Sequence, residues 1–222
     1  MALRLPPYQP LPAFTQRDAA LVEVSLGALQ PTQLCVGMAE IRSRQLDFAK
    51  DDPQEQRRYL RRKPTPLVRS ATGELWMVDR HHRLRALLEL NPQATAFGYV
   101  VLQLDVSERH QVLEQLHQRG WLYLYDGRGL GPLSPLALPT SLSGTQDDPY
   151  RSLVWKLKRE GLVEAAPLIP FHEFRWGAWL RSRNLPPFSS DRLEAALPAA
   201  RALVRSPAAA HLAGWVGPDR GV

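Results

Sequence analysis

One cysteine, Cys35, in 222 residues leaves no internal disulfide framework and no Cys-rich zinc site. No stretch reaches the ~18 uninterrupted apolar residues that a membrane span needs. The opening MALRLPPYQP has three prolines and no apolar core of signal-peptide length. A reduced, cytoplasmic, soluble protein is therefore expected. Internal repeats are absent too, which sets solenoids and propellers aside. Acidic residues are the scarcer sign, 22 against 28 basic, for a net charge of +6. That balance admits nucleic acid, nucleotides and phosphorylated metabolites without choosing among them. Hydrophobic residues make up 44% and charged residues 23%, which suits one globular domain with an appendage and not a disordered chain.

Residues 1–20 read as an extended lead-in broken by prolines. Residues 21–126 read as an α/β domain, 127–148 as a loop rich in glycine and proline, and 149–222 as a helical C-terminal part. Within the domain, LVEVSL at 21–26 alternates like a short strand. Residues 29–32 read as a turn, with Thr32 capping a helix from Gln33 to Phe48. Asp52-Pro53 starts a second helix ending near Arg62. Residues 64–69 and 75–78 form a hairpin around Ala71-Thr72-Gly73. A helix opens near His81 and stops at Asn91-Pro92. Residues 97–106 form the strongest strand signal. Ser107 caps a helix that Gly120 ends, and WLYLY at 121–125 reads as a further strand. Helices follow at 149–160, 171–183 and 189–205, the last interrupted by Pro198. The fold class is α/β (α+β).

The chemistry concentrates in Asp79-Arg80-His81-His82-Arg83-Leu84-Arg85. A helix start carries unpaired N–H groups and the positive end of the macrodipole. Three arginines and two histidines there are electrostatically misplaced, unless an anion occupies that end. Phosphate fits, because the guanidinium fork matches its oxygens. On this reading Arg80, Arg83 and Arg85 bind phosphate, and Lys63 could approach the same place. Asp79, at a strand's end, could hold Mg²⁺, orient a nucleophile or act as a base. His81 or His82 would be the acid/base, and the two point about 100° apart on a helix. A solvated helix face is the plainer alternative. Gly127 to Gly131 is a weaker candidate for a phosphate nest. The hairpin 64–78 is expected to wall the cleft, and the C-terminal helices to pack on the sheet.

Three blocks resemble a known family. They are Pro31-Thr32-Gln33 with Val36-Gly37, then Val78 to His82 leading to Arg85-Ala86-Leu87. The third is Asp147 to Leu153 followed by Pro170-Phe171-His172-Glu173-Phe174. Together they resemble the ParB-like nuclease family, a branch of the ParB and sulfiredoxin fold superfamily, over about residues 25–185. The resemblance implies a small mixed sheet and a strand-to-helix turn that binds nucleotide phosphates, here residues 79–83. It brings in Gln33, Arg151 and His172 as supporting residues, and Asp79 or Glu40 as the base of kinase-like members. Sulfiredoxins need a cysteine in that turn. His81 stands there instead, so their reaction is not expected. Two functions compete: phosphodiester hydrolysis or nucleotide-dependent phosphoryl transfer, with nucleotide as ligand or substrate and Mg²⁺ as a possible cofactor; or a module that binds nucleotide or DNA backbone without turnover. The oligomeric state stays open.

Overall fold

The computed structural model describes residues 3–14 and 20–218. Of the expected lead-in, residues 1–2 and 15–19 lie outside that range; residues 3–14 carry no helix or strand. The strands are β1 (Val22–Ser25), β2 (Leu29–Pro31), β3 (Cys35–Val36), β4 (Thr65–Arg69), β5 (Leu75–Met77), β6 (Thr95–Gln103) and β7 (Gln146–Asp147). The helices are α1 (Met38–Phe48), α2 (Pro53–Arg62), α3 (His81–Leu90), α4 (Arg109–Gln118), α5 (Pro149–Arg159), α6 (His172–Arg181) and α7 (Leu197–Arg205). Five strands form one mixed sheet in the order β1-β6-β4-β5-β2, and β3 pairs with β7 in a separate parallel pair. The fold is mixed α+β. No described helix is long and apolar enough to cross a membrane.

Period-two alternation builds two apolar layers from one hairpin. Leu67 stands opposite Met77 and Val68 opposite Trp76 in the antiparallel β4–β5 pair. Leu67 and Met77 join Ile41, Phe48, Leu60, Leu84 and Leu87 in a core under α1, α2 and α3. Val68 and Trp76 join Val112, Leu113, Leu116, Trp121 and Leu122 in a core under α4. Each fully buried side chain of this kind contributes roughly 1.5–3 kcal/mol. Gly73, at φ +89°, makes the tight turn between the two strands. A third apolar cluster belongs to α5, α6 and α7.

Local signals hold where they are self-contained. Asp52 caps α2 by accepting from Gln54 and Glu55 N–H at 2.7 and 2.9 Å, with Pro53 in the first turn. The expected turn at 29–32 is instead the edge strand β2, parallel to β5. Thr32 does not cap a helix at Gln33. Its hydroxyl donates to Met77 O at 2.9 Å, and α1 starts only at Met38. The expected strand at 121–125 has a single bridge, Gln33 to Tyr123, because its apolar side chains enter the core without a partner ladder. Ser107 caps nothing, since Glu108 precedes the first turn of α4. Pro198 does not interrupt a helix. It lies in the first turn of α7, where its missing N–H has no cost. The C-terminal helices meet α1 rather than the sheet: Ala39 N–H donates to Ser152 Oγ at 3.1 Å and Met38 N–H to Asp147 Oδ1 at 3.0 Å. Gly37 allows that approach, because a Cβ there would lie 2.9 Å from Ser152 N.

Candidate functional site

A cleft of about 520 Å³ opens where the β5–α3 turn faces α1, α5 and the start of α6. That volume suits a nucleotide-sized ligand. Asp79, Arg80, His81, His82 and Arg83 line it, as do Gln33, Arg151 and His172. Arg85 and Lys63 do not. Arg85 points away, donating to Glu89 Oε1 and Leu142 O, both at 2.5 Å, and to Thr145 Oγ1 at 2.9 Å, so it ties α3 to the 142–145 segment. Lys63 contributes only its carbonyl, which accepts from Arg83 Nη1 at 2.8 Å. The hairpin supplies only Val78 to the wall. The opposite wall is the loop before α6, with Ala165, Pro167, Ile169, Pro170 and Phe171. The Gly127–Gly131 loop is no phosphate nest, because the Asp126 carboxylate already accepts from Arg128 and Leu130 N–H at 2.9 and 2.8 Å.

The β5–α3 turn is strained and open. Arg80 is left-handed, at φ 72° and ψ 17°, which costs a non-glycine residue about 1–2 kcal/mol. Helix α3 has no side-chain cap and no acid in its first turn. Asp79 Oδ1 accepts from Arg80 N–H at 2.6 Å and Oδ2 lies 3.3 Å from the Arg80 guanidinium. Both side chains are half-exposed at the cleft rim.

The two adjacent histidines are buried and point to different backbone donors. His81 Nε2 accepts from Thr32 N–H at 3.1 Å; His82 Nε2 accepts from Gly37 N–H at 2.8 Å. An accepting Nε2 means a neutral ring protonated at Nδ1. Burial, and for His81 the neighbouring His82, lowers each to about 3. Glu40, 3.9 Å from His82, draws that ring toward protonation, but burial outweighs it. The pair thus pins the segment between β2 and α1 onto α3. His172 has the opposite tautomer: its Nε2–H donates to Ala213 O at 2.7 Å, leaving Nδ1 as the acceptor.

A charged network runs behind them, joining Glu40 and Arg151 to Arg44, Lys158 and Glu173, three residues that the sequence did not single out as charged partners. Glu40 Oε1 accepts from Arg44 Nε and Nη2 at 2.9 and 2.6 Å, and its Oε2 lies 2.9 Å from Arg151 Nη2. Burial pushes the Glu40 carboxyl up, but His82, Arg151 and Arg44 pull harder and keep it ionised. Glu173 pairs with Lys158, and with Arg151 close by it is held down to about 2 against the burial effect. Five cationic side chains line the cleft against three carboxylates. Arg83 Nε, Arg151 Nε and Nη1, and His81 Nδ1 are buried without a hydrogen-bond partner. The guanidinium of Arg151 lies over the Phe174 ring and that of Arg83 over Tyr59, at 5.6 and 5.0 Å. The family resemblance points to Glu40 and to Arg151 separately, and Arg44 lies one helical turn beyond Glu40, but only the fold brings Arg151 to that carboxylate.

Residues 22–182 match the family model described as "Putative ParB-like nuclease". The chain belongs to that family. A solved structure, protein Atu1540 from Agrobacterium tumefaciens, is 27% identical and superposes with a TM-score of 0.76, over 89% of this chain and 98% of its own. No functionally curated protein matches. In this ParB-like chain the donor set bears on Mg²⁺, which is commonly held by one or two carboxylates plus substrate phosphates. Asp79 offers one carboxylate at the rim, and no group of three His, Cys, Asp or Glu comes together among the described residues. The residues fit Mg²⁺ only where a ligand's phosphates complete its shell.

Proposed function

We propose that the cleft holds a phosphate-bearing ligand, a nucleotide or a nucleic-acid strand, over the first turn of α3. Phosphodiester hydrolysis, or phosphoryl transfer from a nucleotide, would take place there. One observation carries the reading. Helix α3 opens on the cleft with no cap and no acid, and Arg80 and Arg83 stand beside it. Helix N–H groups, dipole and guanidinium groups all favour the same negative charge. The unpaired donors of Arg83 and Arg151 add positive field from behind, where water does not screen it.

In this scheme Arg80 contacts the phosphate at the rim and Arg83 supports it from the wall. Asp79 orients or deprotonates the nucleophile once its carboxylate leaves the Arg80 N–H. Mg²⁺, if bound, would supply charge neutralisation beside Asp79 and the ligand phosphates. His81 and His82 are positioning residues here. Their Nε2 lone pairs are engaged by backbone N–H groups, so neither nitrogen can take a proton without releasing Thr32 or Gly37. His172, with Nδ1 as its acceptor, is the cleft imidazole better suited to take one. A second reading, binding without turnover, is favoured by the same engaged histidines.

The test is a thermal-shift panel of ATP, ADP, CTP and a short DNA, each with Mg²⁺, with product analysis of the best ligand. At least one should raise the melting temperature, and Arg80→Ala should remove most of the shift. No shift with any of them would overturn the phosphate reading. Product that disappears in Asp79→Asn while affinity persists marks an enzyme. Binding with no product marks the module.

A further inference from the structure

We infer that the basic outer face of α2 is a docking surface for the phosphodiester backbone of a nucleic-acid strand, continuous with the cleft. This rests on the phosphate reading above and adds the surface that distinguishes a polymer from a mononucleotide. Helix α2 turns Leu60 into the core and Tyr59 against it. Arg58 and Arg62, at i and i+4, share the outward face, and Lys63 follows, also exposed. Arg57 and Arg61 are already used: Arg57 grips Glu23 at 2.5 and 2.7 Å, and both guanidinium groups lie over the Phe97 ring, at 4.8 and 5.4 Å. The others have no carboxylate. Among the described residues no ion pair involves Arg58, Arg61, Arg62 or Lys63, and Arg58 meets only the neutral Gln54 side chain at 3.4 Å.

Cations in the last turn of a helix are helped by its dipole, which accounts for Arg61 and Arg62. It does not account for Arg58, one turn earlier. The stripe from Arg58 to Lys63 spans roughly 7 Å of helix axis and leads to the cleft. Arg83, a cleft residue, donates to Lys63 O at 2.8 Å and stacks over Tyr59. The charge calls for an anionic partner. The face presents no apolar side chain that could enter a bilayer, and it adjoins a cleft suited to phosphate. A nucleic-acid strand satisfies all three conditions. It returns Lys63 to phosphate binding, outside the cleft.

The test is fluorescence anisotropy of a labelled 20-nucleotide single strand between 50 and 200 mM salt. It compares the full chain, Arg58→Gln/Arg62→Gln, and a charge-matched control, Arg192→Gln/Arg205→Gln, in the C-terminal part. The α2 variant should lose roughly tenfold in affinity, and its log–log salt slope should flatten by about one to two, the counterion release of two phosphate contacts. The control should stay near wild type, and both variants should keep their nucleotide-induced thermal shift. Equal loss in both variants, no loss in the α2 variant, or no binding of the strand by wild type at 50 mM salt would overturn the inference. So would binding to phosphatidylserine vesicles but not to the strand. A strand bound through α2 by a protein that ignores nucleotides would support this surface and overturn the cleft reading instead.

Discussion

Helices α3 and α5 both begin beside the cleft, and they begin in opposite ways. Helix α5 closes its own end. Asp148 accepts from Tyr150 and Arg151 N–H at 2.9 and 3.2 Å, Pro149 removes one free donor, and Arg181 pairs with the same carboxylate at 2.7 Å. Helix α3 leaves its end open. Its leading residue is a left-handed Arg80, and no side chain accepts from its first turn. The α5 start satisfies its own backbone and serves as structure. The α3 start keeps donors and positive charge available, at the expense of strain, and that marks it as the end that works on a ligand.

The comparison can be broken most forcefully at the closed end. Asp148→Ala removes the cap and strands Arg181, and should cost about 3 kcal/mol in chemical denaturation. A loss below about 1 kcal/mol would mean that the α5 start does not depend on its cap. Acid tests the pins behind the open end. His81 and His82 titrate near 6.5 when unfolded and are lowered to about 3 when folded. The unfolded chain therefore binds more protons below pH 6.5. Their contribution is complete above that pH and is lost as pH falls toward 3. At pH 5.5 the loss should be about 3 kcal/mol for the pair, and His82→Gln should flatten the pH dependence of the melting temperature. A stability that stays level from pH 7 to 5 would contradict the neutral, accepting tautomers. The smallest effect sharpens the contrast. Arg80→Gly relieves the left-handed strain, so the protein should melt about 2–4 °C higher while binding nucleotide more weakly. A lower melting temperature would show that Arg80 holds the fold instead of the ligand.

Elements whose signals lie within a few residues were readable in the sequence. Asp52-Pro53 marks the start of α2, Thr72-Gly73 the hairpin, and Asn91-Pro92 the end of α3. The elements that escaped depend on distant partners. β2 exists because β5 lies parallel to it, and Thr32 serves the sheet by reaching Met77, 45 residues away. The candidate site divides in the same way. The crowding of positive charge at residues 79–83 is a local feature and was legible. The roles of the histidines were not, since the donors that fix their tautomers, Thr32 and Gly37, come from 49 and 45 residues upstream. Arg85 looked equal to Arg83 in the sequence, yet two residues of helical rotation turn it toward Leu142 and Thr145.

The most direct measurement is an NMR titration of backbone amides with ATP in the presence of Mg²⁺. If the open end of α3 receives phosphate, the His82 and Arg83 amides should shift downfield and saturate together, while Tyr150 and Arg151, already capped by Asp148, move little. Shifts that spare His82 and Arg83, or that fall equally on both helix starts, would contradict the account.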